Sequence, residues 1–425
     1  MSTLSGIRVL DWTTMAAGPG AAALLADHGA NVIKIETPSG DPWRRVLLKD
    51  QPKSRTFGSI FEQDNRGKRS ICLDLNNDAG KQVFHLLLAK TDVLVCNVRV
   101  KGTQRLGLDY ETLKIQYPSL IYAHITAWGR QGPMTNAPGY DAGAFWAGTG
   151  MLDTLRSQDN GRLPTLPGAS GDHATSLALF SGINLALFHR ERTGAGNLVD
   201  VSLLRSGLWC NGMYLAVASA SKKGIQSIKD PNRIGPTFRG YVTKDLQTIH
   251  LLGYQTGRHL PYLLKALQLT KVPSNTELDQ IFKTKTALEW EDIFDLENVW
   301  YTRIMDIADI AAQAETPNLG VRFGGKMSQV PEQIDRTNAF YKGGRLAGTG
   351  SVLVASPIRL GHGLGGENEP SPLDVPLAPD LGSGTDSILT EIGISLKDIE
   401  RMRSDGAFGT PTKKKTFLAP PRSKM

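Results

Sequence analysis

Asp172 stands in Pro167-Gly168-Ala169-Ser170-Gly171-Asp172-His173-Ala174-Thr175, a single carboxylate among small residues and just ahead of an apolar run, Leu177 to Phe188. An Asp opening such a run reads first as a helix N-cap, whose oxygen accepts backbone N–H bonds. Read instead as a nucleophile, the same side chain means acyl transfer through a covalent aspartyl intermediate. His173, next in the chain, reads as a first-turn helix residue rather than a base.

The elements that must position Asp172 alternate between strand and helix. Ile7 to Trp12 is an apolar-rich strand, Pro19 to His28 a small-residue helix, and Asn31 to Glu36 the next strand. Pro19 suits a first helical turn and Gly29 a C-terminal cap. Strand, helix and strand within thirty residues form a βαβ unit, hence a parallel sheet. The alternation continues through strands Ser70–Leu75, Asp92–Cys96 and Leu120–Ile125 and helices Ala79–Ala89 and Tyr110–Tyr117. Open α/β sheets bind ligands at the carboxyl ends of their strands. The site is therefore expected at Met15 to Gly18, Asn97 to Arg105 and Thr126 to Tyr140.

The predicted fold class is α/β: a large Rossmann-like open-sheet domain over residues 1–218 and a smaller α+β domain over 236–330. Residues 219–235, rich in Lys, Gly, Ser, Asn and Pro, read as a linker. Residues 331–410 read as a return segment completing the large domain, and 411–425 as a basic tail. Residues 176–218 are expected to be long, buried helices.

Hydrophobic residues are 40% and charged residues 21% of 425, an ordinary globular composition. No apolar run reaches the ~20 residues that span a bilayer, and no secretory signal opens the chain. Cys72, Cys96 and Cys210 have no CxxC spacing and fit a reducing compartment. No HxxH or HExxH pairing occurs, so no metal site is expected. The net charge is +7, with clusters at Arg66, Lys68 and Arg69, at Arg99, Lys101 and Arg105, and at Lys413 to Lys415. Base-stacking aromatics do not interleave them, which argues against nucleic acid; a phosphorylated small molecule or a solvated surface suits them. Ser423-Lys424-Met425 resembles the peroxisomal Ser-Lys-Leu address, so the expected location is intracellular: peroxisome or related organelle, otherwise cytoplasm or mitochondrion.

Gly18-Pro19-Gly20-Ala21-Ala22-Ala23 matches G-x-G-x-x-A, with Glu36 closing the second strand, as in nicotinamide-dinucleotide sites. The glycines follow the first strand by about six residues and Pro19 removes an N–H that a pyrophosphate needs. NAD is therefore not expected.

Leu4-Ser5-Gly6-Ile7-Arg8-Val9-Leu10-Asp11, Ala17-Gly18-Pro19, Leu24 to Glu36 and Gly40-Asp41-Pro42 resemble the family III CoA-transferases, the family of formyl-CoA transferase, carnitine CoA-transferase and α-methylacyl-CoA racemase. The likeness extends through Asn65 to Ser70, Arg105-Leu106-Gly107-Leu108, Gly129 to Pro133, Pro138-Gly139-Tyr140-Asp141 and Arg192 to Gly196, and is sparser beyond residue 210. The resemblance implies an interlocked homodimer and Asp172 as the nucleophile. It further implies coenzyme A or acyl-CoA bound as substrate by Met15, Ala16, Ala17, Leu73, Asn97 and Arg105, and a carboxylic acid acceptor. Tyr140 and Gly171 are the implied substrate-pocket residues, and Gly168 to Gly171 could donate N–H bonds to the oxyanion.

Tyr140 decides between branches of the resemblance. The racemases carry His there, as one of two bases; a tyrosine with an unperturbed pKa near ~10 exchanges α-protons poorly at neutral pH. CoA transfer is the first reading, α-methylacyl-CoA racemase the alternative, and an inactive CoA-binding homologue a third. The chain lacks the consecutive glycines of formyl-CoA transferase, has Thr37 where some relatives are basic, and Leu246 where many have Gly. Tyr140, Phe145, Trp146, Trp300 and Tyr301 are candidate linings for a medium-sized apolar acyl group.

Overall fold

Nearly continuous apolar strands, such as Val93-Leu94-Val95-Cys96, bury both faces and favour a parallel sheet covered by helices on each side. The computed structural model realises this pattern. It describes residues 2–47, 58–157, 160–222, 235–308, 310, 353–354, 356–358, 376–409 and 417–418. The chain divides into two units, Met1–Ala220 with Gly343–Met425, and Ser221–Lys342.

The first unit runs β1 (Arg8–Trp12), α1 (Ala17–Asp27), β2 (Asn31–Glu36), β3 (Val46–Leu47), α2 (Ser59–Asn65), β4 (Lys68–Cys72), α3 (Asp78–Leu88) and β5 (Val93–Cys96). It continues with α4 (Val100–Leu106), α5 (Tyr110–Gln116), β6 (Ile121–Thr126), α6 (Met151–Thr154), α7 (Ser170–Thr193), β7 (Leu198–Ser202), α8 (Leu203–Cys210) and α9 (Gly212–Ser221). Six strands form one all-parallel sheet in the order β4-β2-β1-β5-β6-β7. The chain fills one side of β1 and then crosses to the other, so the gap after β1 and β5 is the topological switch point where such sheets bind ligands.

Period-two alternation sorts the strand side chains onto two faces. Val9, Val32, Val93 and Ile121 pack with α1 and α7; Leu10, Ile33, Ile71 and Leu94 pack with α3 and with Ile388, Leu389 and Ile399 from the returning segment. Helix α1 is buried along most of its length. Its glycines serve that packing: a Cβ on Gly18 would fall 2.6 Å from Thr13, and one on Gly20 2.7 Å from Ser176 Oγ. Glu36 is held by Arg44 at 2.7 and 2.8 Å and by Ser70 at 2.7 Å. The G-x-G-x-x-A pattern and its acidic partner are thus both used in packing and pairing.

The expectation of long buried helices across 176–218 is corrected. Strand β7 interrupts them and forms the sheet edge, and α9 buries none of its residues. Leu198-Val199-Asp200-Val201-Ser202 carries β-branched residues in alternation, a strand signal overlooked between two apolar helices.

The second unit pairs β8 (Gly240–Val242), β9 (Thr248–Leu251) and β10 (Tyr301–Arg303) as an antiparallel sheet in the order β10-β9-β8. Its helices are α10 (Thr256–Ala266), α11 (Asn275–Phe282) and α12 (Ala287–Leu296). Tyr241, Phe282, Trp290, Phe294 and Tyr301 form its aromatic core. Tyr301 is buried there, its hydroxyl 2.9 Å from Asp295, so it is core rather than acyl-pocket lining. Trp300 is 43% exposed and stacks near His259. Leu246, in the β8–β9 turn, has φ +60°, which explains why glycine suits that place.

Strand β11 (Phe417–Leu418) pairs with β3. The tripeptide Ser423-Lys424-Met425, most of the basic tail and much of 331–410 lie outside the described residues. Among the described residues, no helix is long and apolar enough to cross a membrane.

Candidate active site

Three loops following strands meet at the switch point. Thr14, Met15 and Ala17 follow β1, Asn97 and Arg99 follow β5, and Thr126, Ala127 and Thr135 to Tyr140 follow β6. They line an open cavity of about 270 Å³ together with Trp43, Leu203 and Asp172. Tyr140 is 68% exposed on that wall.

Asp172 is not the cap of its helix. It is the third residue of α7, after a start at Ala169 (φ +57°) that supplies no capping side chain. The cap comes from 30 residues upstream: Asp141 Oδ2 accepts the backbone N–H of Gly171 at 3.1 Å and of Asp172 at 3.4 Å. Nothing in local spacing signals this, because the cap is tertiary. The expected oxyanion donor at Gly171 is thereby occupied. Gly171 is also corrected as a pocket residue. It is buried, and a Cβ there would fall 2.5 Å from Phe145 and 2.6 Å from Asp141.

Burial, and next the charge of Asp141, push the Asp172 carboxyl up to about 7; Asp64 adds to this and His173 opposes it. A carboxyl titrating near neutrality in a cavity is a functional-site signature. His173 Nε2 lies 2.9 Å from Asp64 Oδ1, and that hydrogen bond raises the imidazole pKa. Asp64 also accepts the Trp43 indole N–H at 3.2 Å. His173 is therefore more than a first-turn residue: it ties α7 to α2.

The loop after β1 is clamped from both sides. Asn97 accepts the Thr14 N–H at 3.1 Å and donates to the Thr14 carbonyl at 2.8 Å, so one N–H and one lone pair of its amide hold the loop. Asp41 accepts the Met15 N–H at 3.1 Å, and Met15 has φ +70°, a conformation side chains rarely adopt. Beneath lies a buried ionic network: Lys34 contacts Asp41 at 2.9 Å and Asp11 at 3.8 Å, and Lys68 contacts Asp11 at 2.8 Å. Burial pushes the Lys68 ammonium down to about 8 against the pull of Asp11. Sequence reasoning missed this network, although Lys34 inside Val32-Ile33-Lys34-Ile35 was a signal: charged residues are rarely buried unless paired.

The remaining predicted contacts separate. Leu73 and Arg105 line a second hollow of about 470 Å³ with Trp12, Thr37 and Val98, off the ends of β1, β2 and β4. Ala16 is buried beneath the loop. The basic clusters divide likewise. Arg66 pairs with Asp27, Lys68 with Asp11 and Arg69 with Glu391, so that cluster is neutralised internally. Arg99, Lys101 and Arg105 are exposed and form no ion pair among the described residues. No group of metal-ligating side chains occurs among the described residues.

A perturbed carboxyl at the switch point of a parallel sheet is an arrangement suited to acyl chemistry. The comparisons with known proteins specify it: the chain belongs to CoA-transferase family III, whose sequence profile matches residues 4–323. It is similar to the cinnamoyl-CoA:phenyllactate CoA-transferase of Clostridium sporogenes, at 30% identity over 94% of this chain and 96% of that one. It is similar at 30% identity to the formyl-CoA:oxalate CoA-transferase of Afipia carboxidovorans, over 96% and 97% of the two chains. A crystal structure of a CAIB/BAIF family protein from Brucella suis superposes with TM-score 0.64 at 25% identity, covering 92% of this chain and 99% of that one. The protein is a CoA-transferase, and CoA thioesters are its substrates.

Proposed function

We propose that the protein moves CoA from a donor acyl-CoA to an acceptor carboxylic acid, with Asp172 as covalent nucleophile. The observation carrying this reading is the Asp172 carboxyl lining the cavity with its proton affinity raised by burial and by Asp141. The Asp172 carboxylate attacks the donor thioester carbon; the C–S bond breaks, giving a mixed anhydride and CoA thiolate. The thiolate attacks the aspartyl carbonyl, releasing the donor acid and leaving an aspartyl-CoA thioester. The acceptor carboxylate attacks that thioester, and the thiolate released takes the acceptor acyl group from the second anhydride, restoring Asp172.

On this reading coenzyme A would span the cavity and the second hollow. The loop of Thr14, Met15 and Ala17 would flank the pantetheine arm, and Leu73 and Arg105 the adenine end. Arg99, Lys101 and Arg105, exposed and without an ion pair among the described residues, are cations available to phosphates. Tyr140 rather than histidine lines the cavity with Asp172, which favours transfer over racemisation. The two relatives' named substrates, cinnamate, phenyllactate, formate and oxalate esters or acids, span aromatic and small acids, so the acceptor panel must include both.

An interlocked homodimer completes the reading. Trp209 is 86%, Met213 70% and Val217 53% exposed on α8 and α9, an apolar face that a second chain would cover. The decisive experiment is Asp172→Ala: transfer is expected to fall at least ~10³-fold with the circular dichroism spectrum unchanged. In the wild type, hydroxylamine added during turnover should convert Asp172 to its hydroxamate, read by mass spectrometry. An alanine variant with full activity ends this reading.

A further inference from the structure

Asp141 is built into the start of α7 more tightly than a wall residue needs to be. Its Oδ2 takes the amides of Gly171 and Asp172 at 3.1 and 3.4 Å. Its Oδ1 is buried and faces the Trp146 indole N–H, which lowers its proton affinity, with no other polar partner among the described residues. A side chain on Gly171 would collide with Oδ1 at 2.6 Å, so glycine there is what lets the carboxylate press onto the helix end. The first-turn amides of a helix are its anion site. Asp141 takes two of those amides, and the side chain of Asp172, itself in the first turn, is left without them.

We propose that Asp141 is a positioning residue for acyl transfer: by occupying the amides that open α7, it leaves the Asp172 carboxylate unbonded to them and directed to the cavity as the acyl acceptor. The proposal rests on Asp172 being the nucleophile. A carboxylate relieved of amide donors and set beside a second negative charge is a stronger nucleophile, because reactivity follows basicity. The groups acting on Asp172 are Asp141, Asp64 from α2, and His173, which is itself bonded to Asp64. Asp141 is thus the larger source of unfavourable charge, and it is not paired with the imidazole.

The test compares Asp141→Asn, which keeps an acceptor oxygen for both amides but removes the charge, with Asp141→Ala, which removes both. The readouts are the pH dependence of kcat/KM and hydroxylamine labelling of Asp172. In Asp141→Asn the acidic limb should move down by about one pH unit and the alkaline plateau fall about three- to tenfold, with Asp172 still labelled. Asp141→Ala should lose more than about tenfold at every pH. An Asp141→Asn profile superimposable on wild type overturns the proposal. Wild-type labelling at another residue instead overturns the assignment of Asp172. If Asp141→Asn does not fold, Asp141→Ala carries the test, and a kcat/KM within about twofold of wild type at every pH overturns the proposal.

Discussion

At the scale of the residue, Asp172 lies in the first turn of its helix without capping it. Its place before an apolar run points to a helix start, and a helix does start there, but the cap belongs to Asp141. The displacement has a thermodynamic consequence. The folded state raises Asp172 from 3.8 to about 7, so the folded protein binds that proton more tightly than the unfolded chain does. The carboxyl therefore costs stability progressively as pH rises from about 4 to 7, and costs nothing extra below that window. Asp172→Asn should unfold at higher temperature than wild type at pH 8, by on the order of 1–3 kcal/mol, discounted because the carboxyl keeps some water. At pH 4 the two midpoints should converge; a difference that persists there would mean the effect is packing rather than charge.

At the scale of the element, the catalytic wall depends on short loops locked by side chains from neighbouring strands. The Thr14–Met15 loop has Asn97 on one side and Asp41 on the other, and Met15 holds φ +70° between them. Asn97→Ala removes two solvent-accessible bonds to Thr14, a loss of about 0.5–1.5 kcal/mol each once water replaces them. The expected result is a KM for acyl-CoA raised about tenfold with kcat changed less. Asn97→Asp keeps the acceptor and should recover part of the loss. An unchanged KM in the alanine variant would show that the loop stays in place without its clamp. The resemblance led to Asn97 as a ligand contact; its bonds also make it a support of the loop that lines the cavity.

At the scale of the whole molecule, the first unit is stabilised by two apolar layers and one buried charge network. The layers leave α9 with none of its residues buried. A chain of this composition does not ordinarily keep an apolar helix in water. Sedimentation equilibrium should return twice the chain mass, and hydrogen exchange should find the amides of 209–217 protected. A fully active species of single-chain mass would rule out the interlocked assembly.

What the sequence determined by itself is the architecture and the family: alternating strands and helices, apolar on the right period, and blocks of residues matched in order. Those features are local, set by propensity, periodicity and short-range motifs, and one strand, β7, escaped because two helices enclose it. What only the tertiary structure decided is which side chain serves which partner. Asp141 reaches Gly171, Asn97 reaches Thr14, and Lys68 reaches Asp11, over separations of 30, 83 and 57 residues. Such pairings follow from the crossover order of the sheet, which brings distant loops to one edge. A buried polar group must then be satisfied by whatever the fold places beside it.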